Sequence, residues 1–380
     1  MINIIIGIGR IGLSFIYFFI KLFPMKNKIT FISRQSNVPS MEFQMLEQKI
    51  KKENNEVEVV LLCKTLDGGI DSALQSKLSY CLHMFVQMYH IATSKVVILD
   101  SYCIVVSLLK HKKQLKVIQM WHSIGSMKLF GYTALGRSEG SSHKLAHAMR
   151  MHANYDYVFA SGEAYREHLA NGFHCDLSKV IVMPLPRVDV LKNAKYESEI
   201  RTQIFDLYPE LNDGKKIIVY CPTFRKDEKD FVAAVNNLCE AVDLEKYHLV
   251  VKLHPLSQVE LPNTVVQAEE FSSFDMLFLA DYVISDYSCI VYEAAIRMIP
   301  LYFYNFDMDL YEDGRGFAID YEGELPGTIS KNAEEIMRSI GEEEYDMNYL
   351  KQFLEKYVEP VENATGKIVE FVFQLMEEKK

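Results

Sequence analysis

The chain has 380 residues, of which 49% are apolar and 24% charged, with only 18 Gly and 11 Pro. That length suits two domains or one large one with appendages, and the composition excludes a disordered, collagen-like or disulfide-stapled protein. The formal net charge of −10 argues against nucleic acid as a partner and, taken alone, against an anionic membrane surface.

Along the chain the charge is uneven. Residues 1–41 carry Arg10, Lys21, Lys26, Lys28 and Arg34 and no acid, the first carboxylate being Glu42. The stretch 101–152 holds eight Lys or Arg against Glu139 alone, with five histidines, whereas 301–380 holds 19 acids against 8 bases. A basic amino-terminal half and an acidic tail are hidden in the total. Seven cysteines without a C-x-x-C pair indicate neither a zinc cluster nor a disulfide framework. They suit free thiols in a reducing compartment, with no secretory cleavage site after the first apolar run.

The opening run INIIIGIGRIGLSFIYFFIKLF contains Gly7, Gly9 and Gly12, a formal G-x-G-x-x-G. A dinucleotide turn would require an acidic residue about 20 positions later and a one-sided helix, and this sequence supplies neither. A span of the membrane needs about 20 apolar residues, which Arg10 interrupts. A helix over 1–24 lying on the membrane surface, its cations toward anionic lipid, fits better than a packed core helix.

After Pro24, β-branched runs at Lys28–Ser33, Val57–Cys63, Val96–Asp100, Lys116–Met120, Tyr157–Ala160 and Val180–Met183 read as parallel strands of a first sheet. A second set falls at Lys216–Tyr220, His248–Leu253, Thr264–Gln267, Tyr282–Ser285 and Leu301–Tyr304, with helices between. The polar stretch from Leu191 to Gly214 separates them, which predicts domains at 25–190 and 191–380, the latter including tail helices over Tyr345–Val358 and Lys367–Met376.

Chemistry-bearing residues gather just after strands, where open α/β sheets bind ligands. Trp121-His122-Ser123 opens a loop through Ser126 and Lys128; Cys221-Pro222-Thr223-Phe224-Arg225 follows a strand; Lys252, His254 and Pro255 end the next; and Ser285-Asp286-Tyr287-Ser288-Cys289 leads into a helix through Glu293. The last turn offers hydroxyls and backbone N–H groups to an anion. Arg225, Lys252 and His254 add cations suited to a pyrophosphate, and Glu293 could reach a ribose. Each residue also has a plainer reading: a turn histidine before proline, a packed histidine beside the only Trp, an ordinary Ser-Asp helix cap. His143 and His147 have metal-ligand spacing without a third ligand, so no metal is expected.

Six ordered segments carry a resemblance. They are WHSIGSMKLFG (Trp121–Gly131), PLPRVDVL (Pro184–Leu191), PTFR (Pro222–Arg225), KLHP from Lys252, DYSCIVYE (Asp286–Glu293) and DMDLYEDGRGF (Asp307–Phe317). Together they resemble the CDP-glycerol glycerophosphotransferase family, teichoic acid primases and polymerases. The sequence departs from the family pattern at Ser123, Val188, Phe224 and Cys289.

The resemblance implies a GT-B fold, two facing Rossmann-like domains with parallel sheets. It implies glycerol phosphate transfer from CDP-glycerol to a hydroxyl of a lipid-linked (polyprenyl diphosphate) glycan, releasing CMP, without a cofactor or protein-bound metal. His122 is then the general base and His254 the residue at the leaving phosphate. Donor binding falls to Ser123, Ser126, Arg187, Pro222, Thr223, Arg225, Lys252, Ser285, Asp286, Ser288, Cys289 and Glu293. The acceptor and membrane side falls to Lys128, Arg137, Lys144, His147 and Arg150, and Asp307 and Arg315 are further motif residues. The expected setting is peripheral, on the cytoplasmic face of the cell membrane. About 25 residues before the first strand favour a primase. CDP-ribitol as donor, a capsule acceptor, a UDP-sugar GT-B enzyme and a non-catalytic scaffold are the alternatives, and the oligomeric state is open.

Overall fold

The computed structural model describes residues 2–65, 74–225, 227–254, 256–342 and 344–378. Pro255 of the H-P pair lies outside them, as do residues 66–73. The contacts divide the chain into two units: residues 1–123, 130–189 and 359–380, and residues 124–129 and 190–358.

Unit 1 is built on a six-stranded parallel sheet, order β2-β1-β3-β4-β5-β6, from β1 (Lys28–Ser33), β2 (Glu58–Cys63), β3 (Val96–Leu99), β4 (Lys116–Gln119), β5 (Tyr157–Ala160) and β6 (Val180–Val182). Its central strands are short Val/Ile runs, as parallel strands covered on both faces must be. Ile29 pairs with Val96 and Val96 with Lys116. The core joins Ile29, Phe31, Ile98 and Ile118 to Phe43, Leu46 and Ile50 of the helix α2 (Met41–Glu53). Ile368, Val369, Val372 and Leu375 of the last helix, Ala364–Glu377, complete it. The carboxylate of Asp189 caps that helix, accepting from the N–H of Ala364 at 2.7 Å and of Thr365 at 2.8 Å.

Unit 2 has a five-stranded parallel sheet, order β11-β10-β9-β7-β8, from β7 (Lys216–Cys221), β8 (Tyr247–Val251), β9 (Tyr282–Ser285), β10 (Leu301–Tyr304) and β11 (Ile329–Ser330). Ile218, Tyr220, Leu249, Ile284 and Tyr302 pack against Phe231, Val235 and Leu238 of one helix and Ile336 and Ile340 of another.

The expected strands are present with one exception, and one unexpected strand joins them. Thr264–Gln267 contributes a single bridge, Val266 to Val250, and β11 is too short to leave a periodic signal. The two units meet in sequence near residue 190, and the chain passes between them at three further points, after residues 123, 129 and 358. Its last helix belongs to unit 1 instead of the second half, because its apolar stripe completes that core. Residues 124–129 belong to unit 2.

The first segment forms α1 (Ile2–Ile20), with Gly7, Gly9 and Gly12 inside the helix, so they make no strand-to-helix turn. Tyr17 is 1% exposed, its hydroxyl 2.8 Å from His111 Nδ1, and Lys21 Nζ donates to the Lys110 carbonyl. Ile8, Ile11, Phe15, Phe18 and Leu22, spaced three and four apart, are exposed. The helix is thus inverted, with its polar anchors toward the protein and its apolar stripe outward. It packs on α3 (Leu74–Thr93), where Leu78, Leu82, Phe85 and Val86 are also exposed. Among the described residues no helix is long and apolar enough to cross a membrane.

Candidate functional site

In unit 1 the site forms where β3 and β4 end. Trp121, directly after β4, holds φ of 67°, a conformation rare for a bulky residue and typical of functional sites. Its indole lies 4.2 Å from the His122 ring and 4.8 Å from Phe130, with Phe173 closing the cluster. Gly131, at φ of 55°, ends this motif because an added Cβ would sit 2.1 Å from the Gly172 carbonyl oxygen.

His122 Nδ1 lies 3.0 Å from the Asp100 carbonyl. A carbonyl only accepts, so Nδ1 carries the proton and Nε2 keeps its lone pair. The Gln35 amide nitrogen Nε2 lies 3.3 Å from the same nitrogen, a longer contact than that to the carbonyl. One face of the ring remains open to solvent. Its dense surroundings nonetheless hold the pKa below 6.5; the Asp100 carbonyl opposes this, Arg187 reinforces it and Glu42 opposes it. His122 is therefore neutral at pH 7.

Arg187 was expected among the donor residues. It lies in unit 1, its Nη2 donating to the His122 carbonyl at 3.1 Å while the guanidinium pairs with Glu42, itself 4% exposed. Glu42, Asp100 and Gln35 escaped the sequence reading; only Glu42 left a trace there, as the first acid in the chain. Arg137, Lys144, His147 and Arg150 are exposed on unit 1. Arg10, His143, Lys144 and His147 line a groove of about 560 Å³.

In unit 2 the loop after β7 is locked by carboxylates. Asp286, fully buried, accepts the Thr223 N–H at 2.9 Å and Arg225 Nη2 at 2.9 Å. Asp307 accepts Arg225 Nε at 2.6 Å and the Tyr287 hydroxyl at 3.1 Å. Four aromatic rings, Phe231, Tyr287, Phe306 and Tyr311, surround the guanidinium at 5.1 to 5.8 Å. Its two carboxylates outweigh burial and raise its pKa further.

Ser285 Oγ donates to the Cys221 carbonyl and Ser126 Oγ to the Lys128 carbonyl, both at 2.8 Å. These two serines therefore shape backbone. Ser288 and Cys289 are half-buried at the start of the seven-residue helix Ile290–Ile296. Glu293 lies one turn in, not two, and is 3% exposed. Pro222 is buried beside Thr223, and Arg315 ends the helix Met308–Gly314.

Lys128 was expected on the acceptor side, yet it belongs to unit 2. Lys128 and Phe317 form an antiparallel bridge, flanked by Leu129 N–H to the Gly316 carbonyl at 3.0 Å and Ala318 N–H to the Met127 carbonyl at 2.9 Å. A cavity of about 720 Å³ in unit 2 is lined by Lys252, His254, Gln267, Glu269 and Ser272 among others. That is room for a nucleoside. The His254 ring lies 5.1 Å from Phe224, and its Nδ1 accepts the Leu256 N–H at 3.2 Å. Nε2 then carries the proton, the tautomer opposite to that of His122.

Residues 15–374 match the family described as CDP-Glycerol:Poly(glycerophosphate) glycerophosphotransferase. The chain is 28% identical to a teichoic acid ribitol-phosphate primase of Bacillus spizizenii over 89% of its length and 88% of the relative's. It is 27% identical to a teichoic acid glycerol-phosphate primase of Bacillus subtilis, over 78% and 77%. Among solved structures, the wall teichoic acid polymerase TagF superposes with a TM-score of 0.74 at 18% identity, covering 99% of this chain and 98% of that one, which shows a shared fold. With its motifs in order and 360 consecutive residues matched, the chain belongs to the CDP-glycerol:poly(glycerophosphate) glycerophosphotransferase family, the teichoic acid primases and polymerases.

Proposed function

We propose that this protein transfers glycerol phosphate from CDP-glycerol to a hydroxyl of a lipid-linked glycan, as a primase, its two units being the acceptor-side and donor-side halves of a GT-B enzyme. The opposite tautomers of the two histidines carry this reading. His122 Nε2 takes the proton of the acceptor hydroxyl as its oxygen attacks the β-phosphorus. The bond to the CMP phosphate breaks, and CMP leaves with its charge stabilised by the Nε2–H of His254. A phosphodiester forms and no metal need enter the step. The cavity beside His254 suits the cytidine, and Thr223 and Ser288, after the strands β7 and β9, suit the diphosphate. Similarity across most of a primase's length supports the primase role.

Two observations support a peripheral position at a membrane surface, where such an acceptor would lie. The outward stripes of α1 and α3 offer apolar area to acyl chains, and the groove of Arg10, Lys144 and His147 offers cations to acceptor phosphate. Lys21, just past the end of α1, turns toward the protein, so the electrostatic attraction falls to the exposed Arg10 and residues 137–150. A ribitol-phosphate donor is the second reading, favoured by the relative matched over 89% of the chain.

The test is CMP release from CDP-glycerol and CDP-ribitol, each with and without a polyprenyl-diphosphate disaccharide. Acceptor-dependent release from CDP-glycerol, abolished in His122→Ala and His254→Ala, supports the proposal. Release from CDP-ribitol alone transfers it to the second reading. Release from neither, or full activity in both variants, overturns it.

A further inference from the structure

Arg225, Lys252 and Lys128 of unit 2 are cations suited by type to a diphosphate, and they differ in what they already bind. Arg225 is enclosed by Asp286, Asp307 and the Thr223 carbonyl, so its charge is neutralised within the protein. Lys252 donates to the carbonyls of Gln267 at 2.9 Å and Ala268 at 2.6 Å. Lys128 is different. Its Nζ lies 5.5 Å from the Tyr311 ring centroid, and among the described residues its hydrogen-bond contact is Thr223 Oγ1, at a long 3.4 Å. No carboxylate of the described residues lies within ion-pair distance of it.

An enclosed ammonium without an anion is costly. Its surroundings say so: burial lowers the Lys128 pKa, against Cys289 and Asp286 which raise it, with Arg225 and Arg315 adding to the lowering. A bound dianion would reverse that balance. The backbone that carries Lys128 is held in place, because residues 127–129 are paired to 316–318, and Thr223 is held by Asp286.

We propose that Lys128 is the residue that grips the donor's diphosphate, and that Arg225 is the buried clasp holding the Thr223 loop in place for it. The proposal rests on the reading of the donor as a CDP-alditol. Lys128 exchanges no proton and forms no covalent bond; its ammonium neutralises phosphoryl oxygens, and does so more strongly as charge gathers on departing CMP.

The experiment measures calorimetric binding of CDP, CMP and cytidine to the full chain and to Lys128→Met, which keeps the aliphatic stem, and Lys128→Arg, which keeps the charge. Loss of one charged hydrogen-bonding partner should weaken CDP roughly 10- to 100-fold in Lys128→Met, leave cytidine unchanged, and be largely restored in Lys128→Arg. The donor KM for CMP release should rise by the same factor. If CDP binds Lys128→Met as it binds the wild type, or if cytidine weakens in proportion, the proposal is overturned. Lys128→Gln carries the same comparison should Lys128→Met not fold. A wild-type protein that binds no CDP and releases no CMP would remove the donor reading itself, a result distinguishable from CDP binding that ignores Lys128.

Discussion

Substituting Glu42 by alanine tests how His122 is held. The Glu42 carboxylate is almost fully buried and Arg187 retains a fifth of its side-chain exposure. Breaking a fully buried pair by removing one partner costs about 3–5 kcal/mol, and the partial exposure of Arg187 discounts this to about 2–3 kcal/mol. The lost anchor also frees the guanidinium that fixes the His122 carbonyl. Misplacement of a base by about 1 Å costs on the order of 100-fold in rate, so kcat should fall much more than the donor KM rises.

The protein carries its own reporter. Trp121 is the only tryptophan, lies in unit 1 and touches His122. Its fluorescence through a urea titration therefore reads the unfolding of that unit. Removing both partners leaves no uncompensated charge, so Glu42→Ala combined with Arg187→Met should be less destabilised than the sum of the single variants by at least about 1.5 kcal/mol. A loss under about 1 kcal/mol in Glu42→Ala, or strict additivity in the double variant, would mean that the Glu42–Arg187 pair does not hold His122.

Arg225→Lys keeps the charge but loses the fork that meets Asp286 and Asp307 at once; unit 2 should lose about 2–4 kcal/mol, read by urea-dependent circular dichroism, and a melt unchanged from wild type would contradict the clasp. Ile11→Asp with Phe18→Asp alters exposed positions of α1 and leaves Tyr17 in place; binding to anionic vesicles should drop at least tenfold at about 1.5 kcal/mol or more per apolar side chain withdrawn from lipid, while equal binding would refute membrane docking by α1.

Acid should destabilise unit 1. Burial holds His111 and His152 down at about 4, so between pH 6.5 and 4 the unfolded chain takes protons that the native state refuses, and stability falls as pH falls. Asp100, pushed up by burial to about 6, acts oppositely between pH 6 and 4. Two histidines against one carboxyl leave about one proton, or about 1.4 kcal/mol lost per pH unit in that window. A urea midpoint by Trp121 fluorescence that stays flat or rises from pH 6 to 5 would contradict this.

Much of the fold was legible because parallel strands covered on both faces must be short apolar runs, and ten of eleven left that signature. The motifs located His122, His254, Thr223, Arg225, Asp286 and Asp307 for the same kind of local reason, each lying at or near a strand's C-terminal end. Glu42, Asp100 and Gln35 could not be found that way. They act on His122 from 80, 22 and 87 residues away in sequence, distances over which no periodicity runs.

The sequence by itself determined the residue types, the strand pattern and the family, since these depend on local order along the chain. Tertiary structure decided the charges' partners. Arg187 went to Glu42 and Arg225 to two carboxylates, and Lys128 crossed into unit 2 through its pairing with Phe317. An ion's role depends on what lies within about 4 Å of it, and such neighbours are set by packing, not by position in the chain.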